Sequence, residues 1–346
     1  MYGKAFAPEY QGELKSALGV NSSYEEVLAT AGALRRTAAT PLEEARASLA
    51  VAEASRRLGR VAEAGGAWTS YRSARRAGEP GAMAWALWSG GTLARQCGTL
   101  PLARRLLTHA SDLAAGSGDR IARGYCLAGL AETGRIQGDY EAVAGLHEEL
   151  LAEARAHGEA RHIVWALSGI AQMRRNTGEL DAALEMFQES VRIAADADDA
   201  RGRAWSLRGV ADILSAQGHP ERALTLLSEA EAICRRMDLA SALAYNHKMR
   251  GNVLYRAARY TGARRMYARA LAEFRAIDEP RGAVLSRLGL VKSRHFLDRP
   301  QALTLRDLDG LEHEVARIGL LHAGKMVRAF RSQLSASPEV SYASPS

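Results

Sequence analysis

The sequence predicts an all-α fold, a right-handed α-solenoid of stacked antiparallel helix pairs with about seven repeats plus terminal helices. Ala, Leu, Arg and Glu are abundant, whereas the 346 residues include only 9 prolines and 6% aromatics, a composition typical of helical proteins. A pattern of residues also recurs every 40 positions. No linker-like segment divides the repeats, so we expect one elongated solenoid domain over residues 22–335.

The repeat consists of three columns of small residues. A turn residue recurs every 40 positions, with one small residue seven positions before it and a second five positions after it. This predicts a helix A, a short turn and a helix B, with the two helices close together where the side chains are small. The turn column is Gly98, Gly138, Gly178, Gly218 and Ala258; the helix A column is Gly91, Ala131, Ala171, Ala211 and Gly251; the helix B column is Ala103, Val143, Ala183, Ala223 and Ala263.

The elements follow one another in a simple order. We expect a first helix at residues 24–36, seven helix pairs from about 40 to 318, and a closing helix at about 319–335. One pair cannot bury its own apolar face, so the pairs must stack. The terminal segments 1–21 and 336–346 are expected to be poorly ordered.

An acidic residue recurs before five of the predicted A helices, where it would cap the helix start or complement its charge. The members of this acidic column are Glu79, Asp119, Glu159, Asp199 and Glu279.

The segments GDYEAVAGLHEEL and GELDAALEMFQES resemble the turn and second helix of the tetratricopeptide repeat. They share its glycine, polar residue, large residue, Ala or Val, and an aromatic such as Phe187. The 40-residue unit is longer than the family's unit of about 34 residues, which leaves the curvature open. The resemblance implies that helix A lines a concave surface, and similar long units occur in sensor regions of bacterial transcription activators.

Helix A places a stripe of aromatic and polar residues on the predicted concave groove. Residues spaced by three, four and three positions share one helix face, and five successive repeats begin this stripe with an aromatic residue. We expect the aromatic rings to stack on a ligand, the arginines to bind an anion, and two amides to bind a ligand backbone. The predicted ligand-binding residues are Trp85, Trp88, Arg95, Tyr125, Glu132, Arg135, Trp165, Gln172, Arg175, Trp205, Arg208, Asp212, Tyr245, Lys248, Asn252 and Tyr255.

A packing alternative explains the same stripe without a ligand. The aromatic residues would then pack between neighbouring A helices, and the arginines would pair with Glu132 and Asp212. A bound partner would be a peptide or protein segment, or a small anionic or aromatic ligand. Lys248 and Asn252 have the spacing of the family's carboxylate clamp, but the other repeats lack it.

The leading functional prediction is a non-catalytic adaptor or sensor. The alternative is a biosynthetic enzyme with its active site in the groove, using Glu132, Asp212 and Tyr255 as acid–base groups. A binding groove would be open across the repeats, whereas an active site would converge on a closed pocket. A scaffold that binds through its convex face is a third possibility.

Several classes of site are not indicated by the sequence. It contains no nucleotide-binding glycine loop and no serine-hydrolase motif, and its histidines and cysteines lack metal-ligand spacing. We therefore expect no cofactor and no metal. Cys97, Cys126 and Cys234 are predicted to be small buried residues in a reducing compartment.

Charge and hydropathy bear on the partner and the location. The net charge of +7 is spread along the chain without a basic run or a reading module, which argues against nucleic acid as a partner. The first residues lack the apolar core of a signal peptide, and no run of 18 apolar residues occurs. We expect a cytoplasmic protein without a membrane segment.

Overall fold

The computed structural model describes residues 23–297 and 299–336, and this part contains sixteen α-helices. The predicted N-terminal segment lies outside the described residues, as does the predicted tail except for Ala336, the last residue of the last helix. The helices are α1 (Tyr24–Thr37), α2 (Pro41–Arg57), α3 (Gly66–Ala77), α4 (Pro80–Gln96), α5 (Leu100–Ser117), α6 (Arg120–Gln137), α7 (Tyr140–His157), α8 (Ala160–Thr177), α9 (Leu180–Asp196), α10 (Ala200–Ala216), α11 (Pro220–Arg236), α12 (Ala240–Arg256), α13 (Tyr260–Ala276), α14 (Pro280–His295), α15 (Gln301–Ile318) and α16 (Leu321–Ala336).

The predicted solenoid and its element order are confirmed. Helix α1 precedes seven A/B pairs, which run from α2/α3 to α14/α15, and α16 closes the array. The first pair is less regular than the others, because a 3₁₀ segment at Val61–Gly65 separates its two helices. The described helices are stacked pairs in which each A helix also packs on the A helix of the next pair.

The columns of small residues lie where helices A and B touch. Ala103 and Ala131 have no exposed surface. A Cβ added at Gly91 would lie 2.8 Å from Leu107 Cγ, closer than real Cβ atoms approach. The small side chains therefore permit a backbone approach that larger residues would prevent.

Each A/B turn from α2/α3 to α12/α13 contains a residue with left-handed backbone geometry. Gly178 has a φ angle of 91°, and the other turn glycines are similar. Ala258 occupies the same turn position with a φ angle of 55°. A residue with a Cβ is strained in this conformation by about 1 kcal/mol.

Only the aspartates of the acidic column cap their helices by hydrogen bonds. Asp119 and Asp199 accept bonds from the backbone nitrogens three residues ahead, at 2.9 and 2.8 Å. The glutamates Glu79, Glu159 and Glu279 make no such bond, because glutamate is a poor N-cap residue. The hydrogen-bond form of the capping prediction is therefore wrong for these three.

Successive turns of the superhelix touch each other. A Cβ added at Gly98, between α4 and α5, would lie 3.3 Å from Pro280 Cγ at the start of α14. The hydroxyl of Tyr140 forms a 2.8 Å hydrogen bond with His322 Nδ1 of α16. Both pairs are separated by 182 residues, about four and a half repeats. The chain therefore completes one superhelical turn over this length and closes on itself.

The first repeat also contacts helices that lie one superhelical turn further along the chain. Gly59 lies so close to the end of α13 that an added Cβ would be 2.4 Å from Ile277 Cγ2. One hydrophobic cluster includes Val51 of α2, Leu207 of α10 and Leu239 at the start of α12. These contacts make the concave surface an enclosed inner surface. We use the name inner surface for the inward-facing stripe residues of the A helices.

The cysteine prediction holds for two of the three residues. Cys126 and Cys234 are buried, whereas Cys97 is exposed. Cys97 lies at the C-cap of α4, in the turn that precedes α5. In the described part of the chain, no helix combines the length and apolar character needed to cross a bilayer.

The Ala258→Gly substitution is predicted to raise the free energy of unfolding by about 0.5–1 kcal/mol, because it removes the left-handed strain. The neighbouring Ala257→Gly substitution is the matched control. Ala257 has a φ angle of −80°, so this change should lower stability by a similar amount. Thermal and urea unfolding measure both effects, and a loss of stability in Ala258→Gly would contradict the turn geometry.

Candidate ligand-binding surface

The first aromatic residues of the predicted stripe pack against one another. Trp85, Trp88 and Tyr125 have exposed fractions of 0%, 5% and 2%. Their rings meet edge to face with centroids 4.9–5.4 Å apart, a geometry that aromatic pairs favour. Tyr125 makes a further contact of this kind with Trp165, at 4.9 Å. These four rings join neighbouring A helices as the packing alternative expects, and their contact with a ligand stays a prediction.

Trp85 also forms a hydrogen bond with Asp119, a member of the acidic column. Its indole Nε1 donates a 2.8 Å hydrogen bond to Asp119 Oδ2, while the other carboxylate oxygen of Asp119 caps α6. The side chain thus connects one A helix to the start of the next.

Trp165, Trp205 and Tyr245 are half-buried, whereas Trp85 and Tyr125 are buried. Tyr245 packs on Phe274 with ring centroids 4.7 Å apart. Trp205 makes no aromatic or cation–π contact with any other residue of the described part. Among the half-buried rings of this column in the described residues, Trp205 is therefore the one without an aromatic or cationic partner, which makes it the first candidate to stack on a ligand.

A column of arginines, not anticipated from the sequence, lies one helical turn before the aromatic column. Arg161 and Arg201 place their guanidinium carbons 5.9 and 5.8 Å from the Trp165 ring centroid, within the range of cation–π attraction. Arg281 donates a 3.1 Å hydrogen bond to the Tyr245 hydroxyl. Extending the stripe four positions toward the N-terminus would have identified this column, because residues four apart share a helix face.

Glu132 joins three arginines on the inner surface. Arg135 lies 2.6 Å from its carboxylate, Arg281 lies 3.7 Å away and Arg95 lies 3.8 Å away. Arg281 belongs to α14, four helix pairs further along the solenoid. This ion pair therefore crosses the inner surface.

The arginines keep Glu132 ionised. Burial acts to raise the pKa of Glu132, but the positive charges of Arg135, Arg281 and Arg95 outweigh it and lower the pKa to about 2. The carboxylate is therefore an anion at neutral pH and cannot serve as a general acid.

The first repeat contains a similar group that the sequence analysis also missed. Glu53 is fully buried, lies 2.7 Å from Arg56, and accepts a 2.7 Å hydrogen bond from Ser89. Burial opposes its ionisation, but Arg56 and Arg57 lower the pKa of Glu53 to about 2. The 39-residue offset of the first repeat places Glu53 in the column of Glu132, which is the signal that would have found it.

Asp212 is the second anion of the predicted groove that pairs with arginines. Arg175 and Arg256 lie 2.6 and 2.7 Å from its carboxylate oxygens. Arg208 donates a 3.0 Å hydrogen bond to the carbonyl of Ala242. The predicted arginine row is thus held by protein groups, as the packing alternative expects.

Some of the remaining stripe residues have protein partners and others have none in the described part of the chain. Asn252 accepts a 2.8 Å hydrogen bond from the Tyr267 hydroxyl, and Tyr255 packs against Tyr260 with ring centroids 5.6 Å apart. Gln172 and Lys248 are half-buried and make no hydrogen bond or ion pair within residues 23–297 and 299–336. These two side chains are available to a ligand.

The acid–base groups of the enzyme alternative are poorly placed for proton transfer. Burial, reinforced by Tyr260, raises the pKa of Tyr255 to about 12, so its hydroxyl keeps its proton at neutral pH. Asp212 is engaged by two arginines. No specific observation favours catalysis at these residues.

The Glu132→Gln substitution is predicted to lower the free energy of unfolding at neutral pH by about 3 kcal/mol, because it leaves three partly buried arginines without their shared counterion. Glu132 has a folded pKa below its unfolded value, so its contribution is present above pH 4.5 and is lost as the pH falls through about 2. Urea unfolding across this range should show the wild type and the variant converging toward low pH. Glu229→Gln, which breaks an exposed ion pair with Arg203, is the control and should cost less than about 1 kcal/mol. Equal effects of the two substitutions would contradict the role given to Glu132.

Comparison with known proteins agrees with this architecture. A family model described as tetratricopeptide repeat matches residues 162–236, and no curated protein matches the sequence. A Rap protein complexed with Competence and Sporulation Factor is similar in structure, with a TM-score of 0.61 and 13% identity, over 94% of this chain and 97% of its own.

Two further solved structures are similar. A Rap conjugation gene regulator in complex with a Phr peptide has a TM-score of 0.64 and 14% identity, over 80% of this chain and 75% of its own. NprR in complex with its cognate peptide NprX has a TM-score of 0.57 and 13% identity, over 95% of this chain and 100% of its own. The resemblance to the tetratricopeptide repeat family is thus confirmed: residues 162–236 match the family, and the described chain folds as a tetratricopeptide-repeat solenoid.

Proposed function

We propose that this protein is a non-catalytic sensor or adaptor that binds a peptide segment on its inner surface and acts in the cytoplasm. The observation that carries the proposal is the set of half-buried side chains left without protein partners there. These are Trp205, Lys248 and Gln172.

The three side chains supply complementary contacts for a peptide. The Trp205 indole offers a face on which a planar or aliphatic group can pack. The Gln172 amide can donate to a peptide carbonyl and accept from a peptide N–H. Lys248 can bind a carboxylate by a charge-assisted hydrogen bond. All three belong to the stripe of helices α8, α10 and α12, which follow one another in the stack.

The rest of the inner surface supports this assignment by its rigidity. Ion pairs hold Arg135 on the preceding helix α6 and Arg175 on α8 itself. Edge-to-face packing fixes Trp165 next to it. A surface whose neighbours are already ordered loses little conformational entropy when a flexible peptide binds.

Structural similarity also supports a peptide as the occupant. The structures of the three solenoids described above were solved in complex with Competence and Sporulation Factor, a Phr peptide and NprX. Their resemblance to this chain is one of fold, so the peptide sequence that it would bind has to be found by experiment.

The Trp205→Ala substitution is predicted to weaken peptide binding about tenfold or more, because the ring supplies buried contact area. Native mass spectrometry with a pooled library of short synthetic peptides identifies a binder, and isothermal titration then measures its Kd. Trp68→Ala is the matched control, since Trp68 lies on α3 and is 46% exposed. Trp205→Phe retains an aromatic ring, so it is the control that separates an effect on binding from an effect on folding.

The outcomes separate binding on the inner surface from binding elsewhere. We expect Trp68→Ala to have the Kd of the wild type, and Trp205→Phe to have a Kd between those of the wild type and Trp205→Ala. If Trp68→Ala removed binding while Trp205→Ala did not, the peptide site would lie on the outer face. If the library and peptides extracted from the protein's host contained no binder, the peptide-binding proposal would be wrong.

A further inference from the structure

Within the chain, the turn of each early helix pair contacts the start of the helix A five pairs later. A Cβ added at Gly98, in the turn of α4/α5, would lie 3.3 Å from Pro280 Cγ at the start of α14. Tyr140 begins α7, and its hydroxyl forms a 2.8 Å hydrogen bond with His322 near the start of α16. The counts from α4 to α14 and from α6 to α16 are both five pairs. We call this contact the seam.

The seam is apolar. Leu100 and Ile136, which flank the turns of the second and third pairs, are 2% and 3% exposed. They belong to one hydrophobic cluster with Val284 of α14 and Val327 of α16. Burial of apolar surface is the main favourable contribution when two protein surfaces associate. The A/B turns and the starts of the A helices are therefore complementary surfaces.

The later turns present the same surface without a cover. Gly98 and Gly138 are half-buried, whereas Gly178 and Gly218 occupy the same turn position and are exposed. A Cβ added at Gly178 or Gly218 would meet no atom of the described residues within 4 Å. The described helices end at α16, so these turns have no helix A five pairs later in that part of the chain.

The last turns carry an exposed aromatic cluster. Phe296, at the C-cap of α14, is 47% exposed and stacks on the half-buried Tyr260 with ring centroids 4.8 Å apart and planes 13° from parallel. Tyr255 packs against Tyr260 and Phe296 at 5.6 and 5.9 Å. Tyr260 has the repeat position of Tyr140, 120 residues earlier. Exposed apolar clusters mark interaction sites, and this one continues the surface that forms the seam.

The starts of the early A helices are also uncovered. Glu279 and Pro280, at the start of α14, are buried and half-buried. Glu79 and Pro80 have the same repeat position 200 residues earlier, at the start of α4, and both are exposed. A Cβ added at Gly118, just before α6, would meet no atom of the described residues within 4 Å. The described chain thus has an uncovered example of each surface that the seam joins.

We propose that this protein self-associates head to tail through these two surfaces. The start edge, formed by the starts of α4, α6 and α8, docks on the turn edge of a second copy, formed by the turns at Gly218, Ala258 and Phe296. The spacing of five helix pairs then continues from one copy to the next, and Tyr260 is covered as Tyr140 is covered within the chain. The two edges differ, so the interface is heterologous and leaves one edge free at each end. This inference does not depend on the proposed peptide binding.

Sedimentation velocity of the full chain tests the self-association. We expect the weight-average mass to rise above the 37.3 kDa of one chain between about 1 and 100 µM, because a small interface gives a weak affinity. Species longer than a dimer should form at the upper end of this range, since a heterologous interface does not close in a dimer.

One substitution in each edge should weaken the association about tenfold or more, because the new carboxylate loses water in the interface. Phe296→Glu changes the turn edge. Pro80→Glu changes the start edge at the first residue of α4, where an acidic side chain suits the helix dipole. Trp68→Glu is the matched control, since Trp68 is 46% exposed on α3 outside both edges. It should associate like the wild type.

An equal mixture of Phe296→Glu and Pro80→Glu identifies the head-to-tail arrangement. The intact start edge of the first variant can dock on the intact turn edge of the second. We therefore expect heterodimers of twice the monomer mass and no longer species. Recovery of association in the mixture also shows that both variants are folded.

Three results would overturn the inference. The first is a wild type that stays monomeric up to about 100 µM, which would leave the aromatic cluster to another partner. The second is a mixture that stays monomeric although far-UV circular dichroism shows both variants to be helical. The third is association that Trp68→Glu weakens and Phe296→Glu does not, which would place the interface on the outer face of α3.

Discussion

The structure depends on the contact between successive turns of the superhelix. The Tyr140–His322 hydrogen bond and the close approach of Gly98 to Pro280 join residues 182 positions apart. An open solenoid of the same helices would leave the A helices facing water, whereas the closed turn places α6 and α14 across the same inner surface. The burial and the electrostatics of this surface follow from that closure.

The closed superhelical turn removes water from the stripe of aromatic and charged residues. Most of these side chains therefore pair with one another and stabilise the fold. Charges on a partly desolvated surface need counterions, and Glu132 and Asp212 supply them to five arginines. The rings of Trp85, Tyr125 and Trp165 form edge-to-face contacts. Most side chains of the stripe thus have a protein partner. Trp205, Gln172 and Lys248 differ from them because they have none in the described part of the chain.

The sequence predicted the local architecture well and the closed turn not at all. The 40-residue period located the five regular helix pairs from α4/α5 to α12/α13, because each needs a left-handed turn residue and two small residues. It could not predict the pairing of Glu132 with Arg281, since that contact depends on how many repeats make one turn. The column of Arg161, Arg201 and Arg281 could have been predicted by extending the stripe. The exposure of Cys97 depends on where α4 ends, which periodicity locates only approximately.

Photo-crosslinking tests most directly the claim that the enclosed inner surface binds the peptide. A benzophenone amino acid is placed at position 205 on the inner surface or at position 68 on α3, and each protein is irradiated with the peptide identified by the library. If the peptide binds on the inner surface, a covalent peptide adduct forms from position 205 and none forms from position 68. An adduct from position 68 alone would contradict binding on the inner surface.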